Sequence, residues 1–240
     1  GLLAATVLPI CLLLTPVEGL LPKDEAIFLN VGQGDCTIVR KGNKNVLIDT
    51  GGSIFEDLAQ TCLLTYLRRI RIKKLDAVIL THTDFDHSGA LESLQEGIAV
   101  DKVFMGNETF GPFIAGGISF CDLNPRYGDS GENVNSGVYR FTVRGKTVLV
   151  MGDAPALVER EMMAAGYDVK ADLLRIGHHG SDSSTSSEFL AAVSPSLAVI
   201  SVGRNQYGHP TAAVLSRLDQ AGVPYWRTDC DGTLVYRGAL

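Results

Sequence analysis

The segment His82-Thr83-Asp84-Phe85-Asp86-His87 sets two imidazoles and two carboxylates within six positions of a chain that has only 5 histidines. Holding these groups together costs repulsion and desolvation unless a cation offsets both. A divalent metal ion is the chemistry this spacing asks for. Two further apolar runs also end on ligand types: VLVMGD stops at Asp153, and LLRIGHHGS stops at His178 and His179. Gly152 lets the backbone approach closely, so the Asp153 carboxylate can bridge two cations. Two bridged cations acidify a water and hold a leaving oxygen, which is the equipment of a two-metal hydrolase.

These residues need elements that bring strand ends together. From residue 26 the chain alternates short apolar strands with turns: AIFLNV, CTIVR and VLID, separated by GQGD and KGNKN. Residues 56–70 place Leu58, Cys62, Leu63, Tyr66, Leu67 and Ile70 on one helical face. Strands are expected at 75–81, near Val103, and at 138–143, 147–151, 171–177 and 197–202, with a last pair ending at Tyr236. Helices are expected near Leu91 and over 156–165, 187–193 and 212–221. Mixed strands and helices predict a layered α/β protein, with chemistry at the strand ends.

The composition, 240 residues with 45% hydrophobic and 20% charged, suits one globular domain that buries its core without staples. A formal charge of −6 argues against a module that coats DNA with its whole surface. The 5 cysteines, at 11, 36, 62, 121 and 230, form no CxxC pair, so no zinc ribbon is indicated, and one long-range disulfide stays open. Residues 1–25 stand apart. Leu2 to Leu14 are uncharged and apolar, shorter than the roughly 20 residues that span a bilayer. This segment reads as the end of a membrane helix, or as a signal-peptide core or apolar helix. The boundary to a domain over residues 26–240 is placed near Pro22 to Glu25.

HTDFDHSG, VMGD, GHHGS and LIDTGG resemble the metallo-β-lactamase superfamily, whose signature loop is H-x-H-x-D-H. FLNVGQGDC, GHHGSDSSTS, SVGRNQYGHP and RTDCDGT resemble, more narrowly, the hydrolase domain of the ComEC family of competence DNA-uptake proteins. The resemblance implies an αββα sandwich with a dinuclear site on one edge. It implies His82 and Asp84 on one metal and Asp86 and His87 on the other, with Asp153 bridging and His178 or His179 completing the second site. Asp84 replaces the second His of the superfamily loop, and no His lies between His87 and His178; Asn133-x-x-Ser136 stands in that interval. A donor set rich in oxygen suits manganese at least as well as zinc.

The same resemblance implies a metal-dependent phosphodiesterase or nuclease that degrades the non-imported strand of transforming DNA, through a hydroxide activated by two metals. Asp86 and His209 are the expected catalytic groups; Ser181, Asn205, Tyr207 and His209 the expected substrate contacts. Asp35, Asp49, Asn133 and Ser136 are expected to brace the ligands from behind. The run Arg68-Arg69-Ile70-Arg71-Ile72-Lys73-Lys74 can track a nucleic-acid backbone or complement a helix C-terminus. Expected partners are DNA, single-stranded in particular, and the membrane channel portion of the same full-length protein, with the hydrolase on the extracytoplasmic side. The rival readings are a hydrolase of another phosphoester, such as a phosphorylcholine or nucleotide ester, and a non-catalytic domain that grips DNA.

Overall fold

Alternation of inward and outward apolar residues organises the strands into two stacked sheets. In strand β3 (Lys44–Ile48), Val46 and Ile48 face the space between the sheets, while Leu47 faces the outer helices. The computed structural model describes residues 23–126 and 131–239. The expected apolar segment therefore lies outside the described residues up to Pro22. Strand β1 (Lys23–Phe28) begins within the stretch expected as linker.

The first half of the chain supplies β1, β2 (Thr37–Gly42), β3, a π-helical turn Ala59–Leu63 running into α1 (Leu64–Arg69), β4 (Lys74–Leu75) and β5 (Ala77–Leu80). There follow α2 (Phe85–Ser88), α3 (Leu91–Gly97), β6 (Ala99–Val100), β7 (Val103–Met105), β8 (Gly111–Ala115) and β9 (Ile118–Asp122). The second half supplies β10 (Tyr139–Val143), β11 (Lys146–Val150), α4 (Ala156–Ala164), β12 (Leu173–Arg175), α5 (Ser187–Val193) and β13 (Leu197–Ile200). It ends with α6 (Ala212–Gln220), β14 (Tyr225–Arg227), α7 (Thr228–Asp231) and β15 (Leu234–Tyr236).

One sheet has the order β15-β1-β2-β3-β5-β7 and the other β14-β13-β12-β11-β10-β9-β8; β4 and β6 form a small separate pair. Between the sheets pack Phe28, Ile48, Ile79, Phe141, Val150 and Val199. Outside the first sheet, Leu63, Leu64, Leu67 and Leu94 cover Leu47, Val78 and Leu80. Outside the second, Val158, Met162, Phe189, Leu190, Val214 and Leu218 cover Leu149, Leu174 and Ile200. Helix, sheet, sheet and helix therefore stack as the αββα sandwich that the motifs imply.

Beyond the short elements α2, β6 and α7, which the sequence reading did not include, two differences bear on the architecture. The hairpin β8–β9 was not expected, because Gly111 and Pro112 open its first strand and Gly116 and Gly117 form its turn; β8 is the edge of the second sheet, where a proline is tolerated. The helix expected over 56–70 opens with a π turn, which brings Leu64 into the core and leaves Cys62 and Tyr66 half-buried. Cys36, Cys62, Cys121 and Cys230 are free thiols, so no disulfide forms among the described residues.

Candidate active site

The ligand candidates sit beyond the carboxyl ends of β3, β5, β11 and β12. Asp49 follows β3, His82 follows β5, Asp86 and His87 lie in α2, Asp153 follows β11, and His178 and His179 follow β12. Backbone bonds clamp the first loop: the Asp35 N–H donates to the Asp86 carbonyl (3.1 Å) and the Thr50 N–H to the His87 carbonyl (2.7 Å). Asp49, His178 and His179 all hold left-handed backbone, with φ of 57°, 51° and 52°. Such strain persists only where surrounding bonds over-determine the conformation.

The imidazoles share one polarity. His87 Nδ1 lies 2.9 Å from Asp49 Oδ2, and His87 Nε2 lies 3.1 Å from Asp153 Oδ1. His179 Nδ1 lies 2.9 Å from the Ser201 carbonyl, and its Nε2 3.1 Å from Asp86 Oδ2. His178 Nδ1 faces Ser183 Oγ at 3.4 Å, and its Nε2 lies 3.6 Å from the second oxygen of Asp153. His82 Nδ1 faces Thr81 Oγ1 at 3.0 Å and Ser136 Oγ at 3.4 Å. Each ring thus has Nδ1 tied and Nε2 turned toward carboxylates, the orientation of histidines that ligate metals.

Three clusters result, each with its ligand atoms within 4.8 Å of one another: His82, His87 and Asp153; Asp86, His87 and His179; and Asp35, Asp49 and His87, the last setting His87 against two of the bracing residues. His82 Nε2, His87 Nε2 and Asp153 Oδ1 are buried and lack hydrogen-bond partners. Buried orphans cost desolvation free energy that a cation would recover. The donor set, imidazole nitrogens with carboxylate oxygens, fits divalent ions of the manganese or zinc kind.

The pair left open by the sequence divides by burial: His179 is 2% exposed and joins Asp86 and His87, while His178 sits on the open side of Asp153. Asp84 is half-buried, with Oδ2 3.4 Å from His82 Nε2, outside all three clusters.

Burial works against charge on His87, but Asp153 and Asp49 outweigh it and hold the imidazole well above the ordinary histidine range. Burial and the neighbouring His87 push His82 down. Burial would lift the Asp86 and Asp153 carboxyls, yet both stay below the usual range. Burial is the largest single influence on each, but for Asp86 the His179 hydrogen bond with the His87 and His179 charges, and for Asp153 the charges of His87, His179 and His178 with the His87 hydrogen bond, together outweigh it.

The bracing residues take distinct places. Asp49 accepts from the Thr81 N–H (2.7 Å) and hydroxyl (2.8 Å) as well as facing His87. Ser136 Oγ accepts the Asp153 N–H at 3.0 Å, and Asn133 offers its carbonyl to the Ser136 N–H at 3.3 Å. Asp35 lies beneath the imidazoles, 3.6 Å from His87 Nδ1 and 3.7 Å from His179 Nδ1.

The expected substrate contacts are less uniform. His209 approaches His178, with ring centroids 5.5 Å apart, and its Nδ1 is buried without a partner. Burial, then His178 and His179, lower its pKa. Tyr207 is exposed beside His209, centroids 5.8 Å apart. The Asn205 amide is spent on its own loop, donating to the Gly203 and His209 carbonyls and accepting the Tyr207 and His209 N–H groups. Ser181 is buried, with its hydroxyl 2.9 Å from Ser183 Oγ.

Sequence reasoning missed Thr81, which links Asp49 to His82. It also missed Arg175, fully buried and in contact with Asp35 and the Gly152 carbonyl. An arginine inside the apolar run LLRIG was the available signal, since arginine is rarely buried without a partner.

A family model described as the metallo-β-lactamase superfamily matches residues 29–108. ComE operon protein 3 of Bacillus subtilis is 31% identical over 89% of this chain and 33% of its own length. Competence protein ComA of Neisseria gonorrhoeae is 33% identical over 90% of this chain and 33% of its own. The chain thus spans about a third of the length of these curated relatives. Among solved structures, the metallo-β-lactamase fold protein YhfI of Bacillus subtilis superposes with a TM-score of 0.55 at 12% identity, covering 89% of this chain and 100% of that one. With the sandwich, the strand-end cluster and these similarities together, the chain has the metallo-β-lactamase fold and is similar over about 90% of its length to these competence proteins.

Proposed function

We propose that this chain is a two-metal phosphodiesterase that degrades DNA, acting on the non-imported strand during uptake of transforming DNA. The observation that carries the reading is the placing of Asp153 between histidines: one carboxylate oxygen faces His87 and His179, the other His178. A carboxylate so placed suits bridging of two ions. His82, His87 and Asp153 would hold one, and Asp86, His179 and Asp153 the other, with Asp84 and His178 at the rims. When bound, such ions lower the pKa of a water and neutralise charge developing on a phosphodiester.

The chain's own residues then supply orientation. Asp49, Thr81 and the Ser201 carbonyl fix the imidazoles by their Nδ1 atoms. Asn205 holds the loop that presents His209 to the open side of the cluster, where its ring can meet a phosphate oxygen or leaving oxygen. DNA as the substrate draws its support from the names of the competence relatives. The oxygen donors Asp84, Asp86 and Asp153 favour manganese at least as well as zinc.

The test incubates the chain with labelled single- and double-stranded DNA and with phosphodiester dyes, adding manganese, zinc or EDTA. Cleavage of DNA with manganese and none with EDTA is expected. Turnover of dyes or nucleotide esters without DNA cleavage would move the reading to another phosphoester. Metal-independent DNA binding without hydrolysis of any substrate would make it a gripping domain. Recovery of stripped protein with zinc alone would count against manganese.

A further inference from the structure

The basic run Arg68 to Lys74 lies at the opposite end of the sheets from the metal ligands. The ligands follow the carboxyl ends of β3 and β5, whereas residues 71–74 precede the amino end of β5. Strands β3, β5 and β7 are parallel, so Lys41 and Lys44, at the β2–β3 turn, and Lys102, before β7, share that amino-terminal end. Strand β1 is antiparallel to β2, as is β3, which places Lys23 there too, in register with Gly42. The Arg144 N–H donates to Asp24 (3.1 Å), tying the β10–β11 hairpin of the second sheet to the same end.

Lys41, Arg68, Arg69, Arg71, Lys73 and Lys102 are all exposed. Among the described residues, none of these six has a carboxylate within ion-pair distance, whereas Lys44 pairs with Asp76 and Lys74 with Asp101. In a chain of formal charge −6, this is segregation of positive charge to one end. Complementing the dipole of α1 accounts for Arg68 and Arg69 in its last turn, but not for Arg71, Lys73, Lys41 and Lys102 on other segments. Guiding substrate into the metal site is disfavoured by distance, since Lys74 and Thr81 are separated by roughly 20 Å of strand. The residues ahead of Lys23 include the uncharged apolar run Leu2 to Leu14.

We propose that this basic end docks on the anionic headgroups of a lipid bilayer, with the metal site turned to the aqueous side. The charge matches an anionic surface, and Lys23, the first described residue, lies at the same end. Each Lys or Arg held near such a surface strengthens binding by about fivefold, screened by salt. The proposal does not depend on which phosphoester the site takes.

The test compares co-sedimentation of the 240-residue chain with vesicles of phosphatidylcholine alone and with added phosphatidylglycerol. A variant carrying Arg68→Gln, Arg69→Gln, Arg71→Gln and Lys73→Gln is run beside it, together with a charge-preserving Arg68→Lys, Arg69→Lys, Arg71→Lys variant. Neutral vesicles report any contribution of the apolar run, which all variants retain. The expected result is binding to anionic vesicles at least about tenfold tighter than to neutral ones near 0.1 M salt. That preference disappears in the glutamine variant and persists in the lysine variant, with phosphodiester dye turnover unchanged in both. Equal binding to both vesicle types, or a preference that survives in the glutamine variant, overturns the proposal. So does a glutamine variant weakened toward a single-stranded oligonucleotide in EDTA but not toward vesicles, which would assign the face to nucleic acid.

Discussion

The guanidinium of Arg175 donates to the Gly152 carbonyl across 2.7 Å, at the base of the cluster and out of reach of solvent. Its other arm contacts Asp35, which lies beneath His87 and His179. Burial pushes the Arg175 pKa down to about 9. The residue thus joins the peptide that carries Asp153 to the carboxylate under the imidazoles. Arg175→Met leaves Asp35 buried without its partner, which costs about 3–5 kcal/mol. Urea unfolding of the metal-free chain measures that loss, and metal titration is expected to show weaker binding. Adding Asp35→Asn removes the stranded charge and should restore part of the stability, a coupling that a double-mutant cycle reads directly. A single variant as stable as the parent would show that the contact carries no weight.

His87 ties metal affinity to pH. Asp153 and Asp49 overcome the burial penalty and raise its pKa, so the metal-free imidazole holds its proton to higher pH than an ordinary histidine. A metal ligand must be deprotonated, so binding displaces that proton. Calorimetric titration in buffers of different ionisation enthalpy should show proton release at neutral pH, and affinity should climb as pH rises toward the raised His87 pKa. The stability of the metal-free fold has the opposite slope. The charged His87 stabilises the folded state fully below its unfolded pKa, and that contribution is lost as pH rises through the folded one. Asp49→Asn removes one source of the shift and should shrink both effects.

The sandwich was legible because period-two alternation persists where both sheets are covered, as at Val46, Leu47 and Ile48. The ligand candidates drew attention in the sequence because His82, Asp86, His87 and Asp153 stand just beyond apolar strands. The hairpin β8–β9 was hidden, since an edge strand tolerates the glycine and the proline that ordinarily argue against a strand. Within the His178-His179 pair, the choice depends on burial. His179 is fixed by the Ser201 carbonyl, which belongs to the segment after β13, and no spacing along the chain reveals such a contact. Asn205 stands in the motif whose resemblance implies a substrate contact, and in the structure its amide closes the loop that carries His209, a role no spacing reveals.

His209 separates turnover from metal binding. Its ring neighbours His178, on the open side of Asp153, and belongs to none of the ligand clusters. His209→Ala should lower phosphodiester turnover by about a hundredfold or more, with metal content unchanged by elemental analysis. Asp153→Asn weakens the carboxylate shared by three imidazoles and should lose metal and activity together. Loss of metal from the His209 variant would instead make that residue a ligand.

Gly152 is the place where one methyl group should disable the site. Its φ is +52°, and a Cβ there would lie 2.2 Å from Ser136 Oγ and 3.0 Å from Thr81 Cβ. Left-handed backbone costs a non-glycine residue about 1–2 kcal/mol before any clash. The clash adds a local effect, because Ser136 Oγ accepts the Asp153 N–H and faces His82, while Thr81 links Asp49 to His82. Gly152→Ala should therefore lower the thermal midpoint and weaken metal binding by at least about tenfold, the latter through displacement of Asp153. Combining it with Ser136→Gly removes the nearest obstruction but not the backbone strain. The double variant should regain part of the metal affinity while remaining less stable than the parent. Parental metal affinity in Gly152→Ala alone would show that the Asp153 carboxylate does not depend on this close approach.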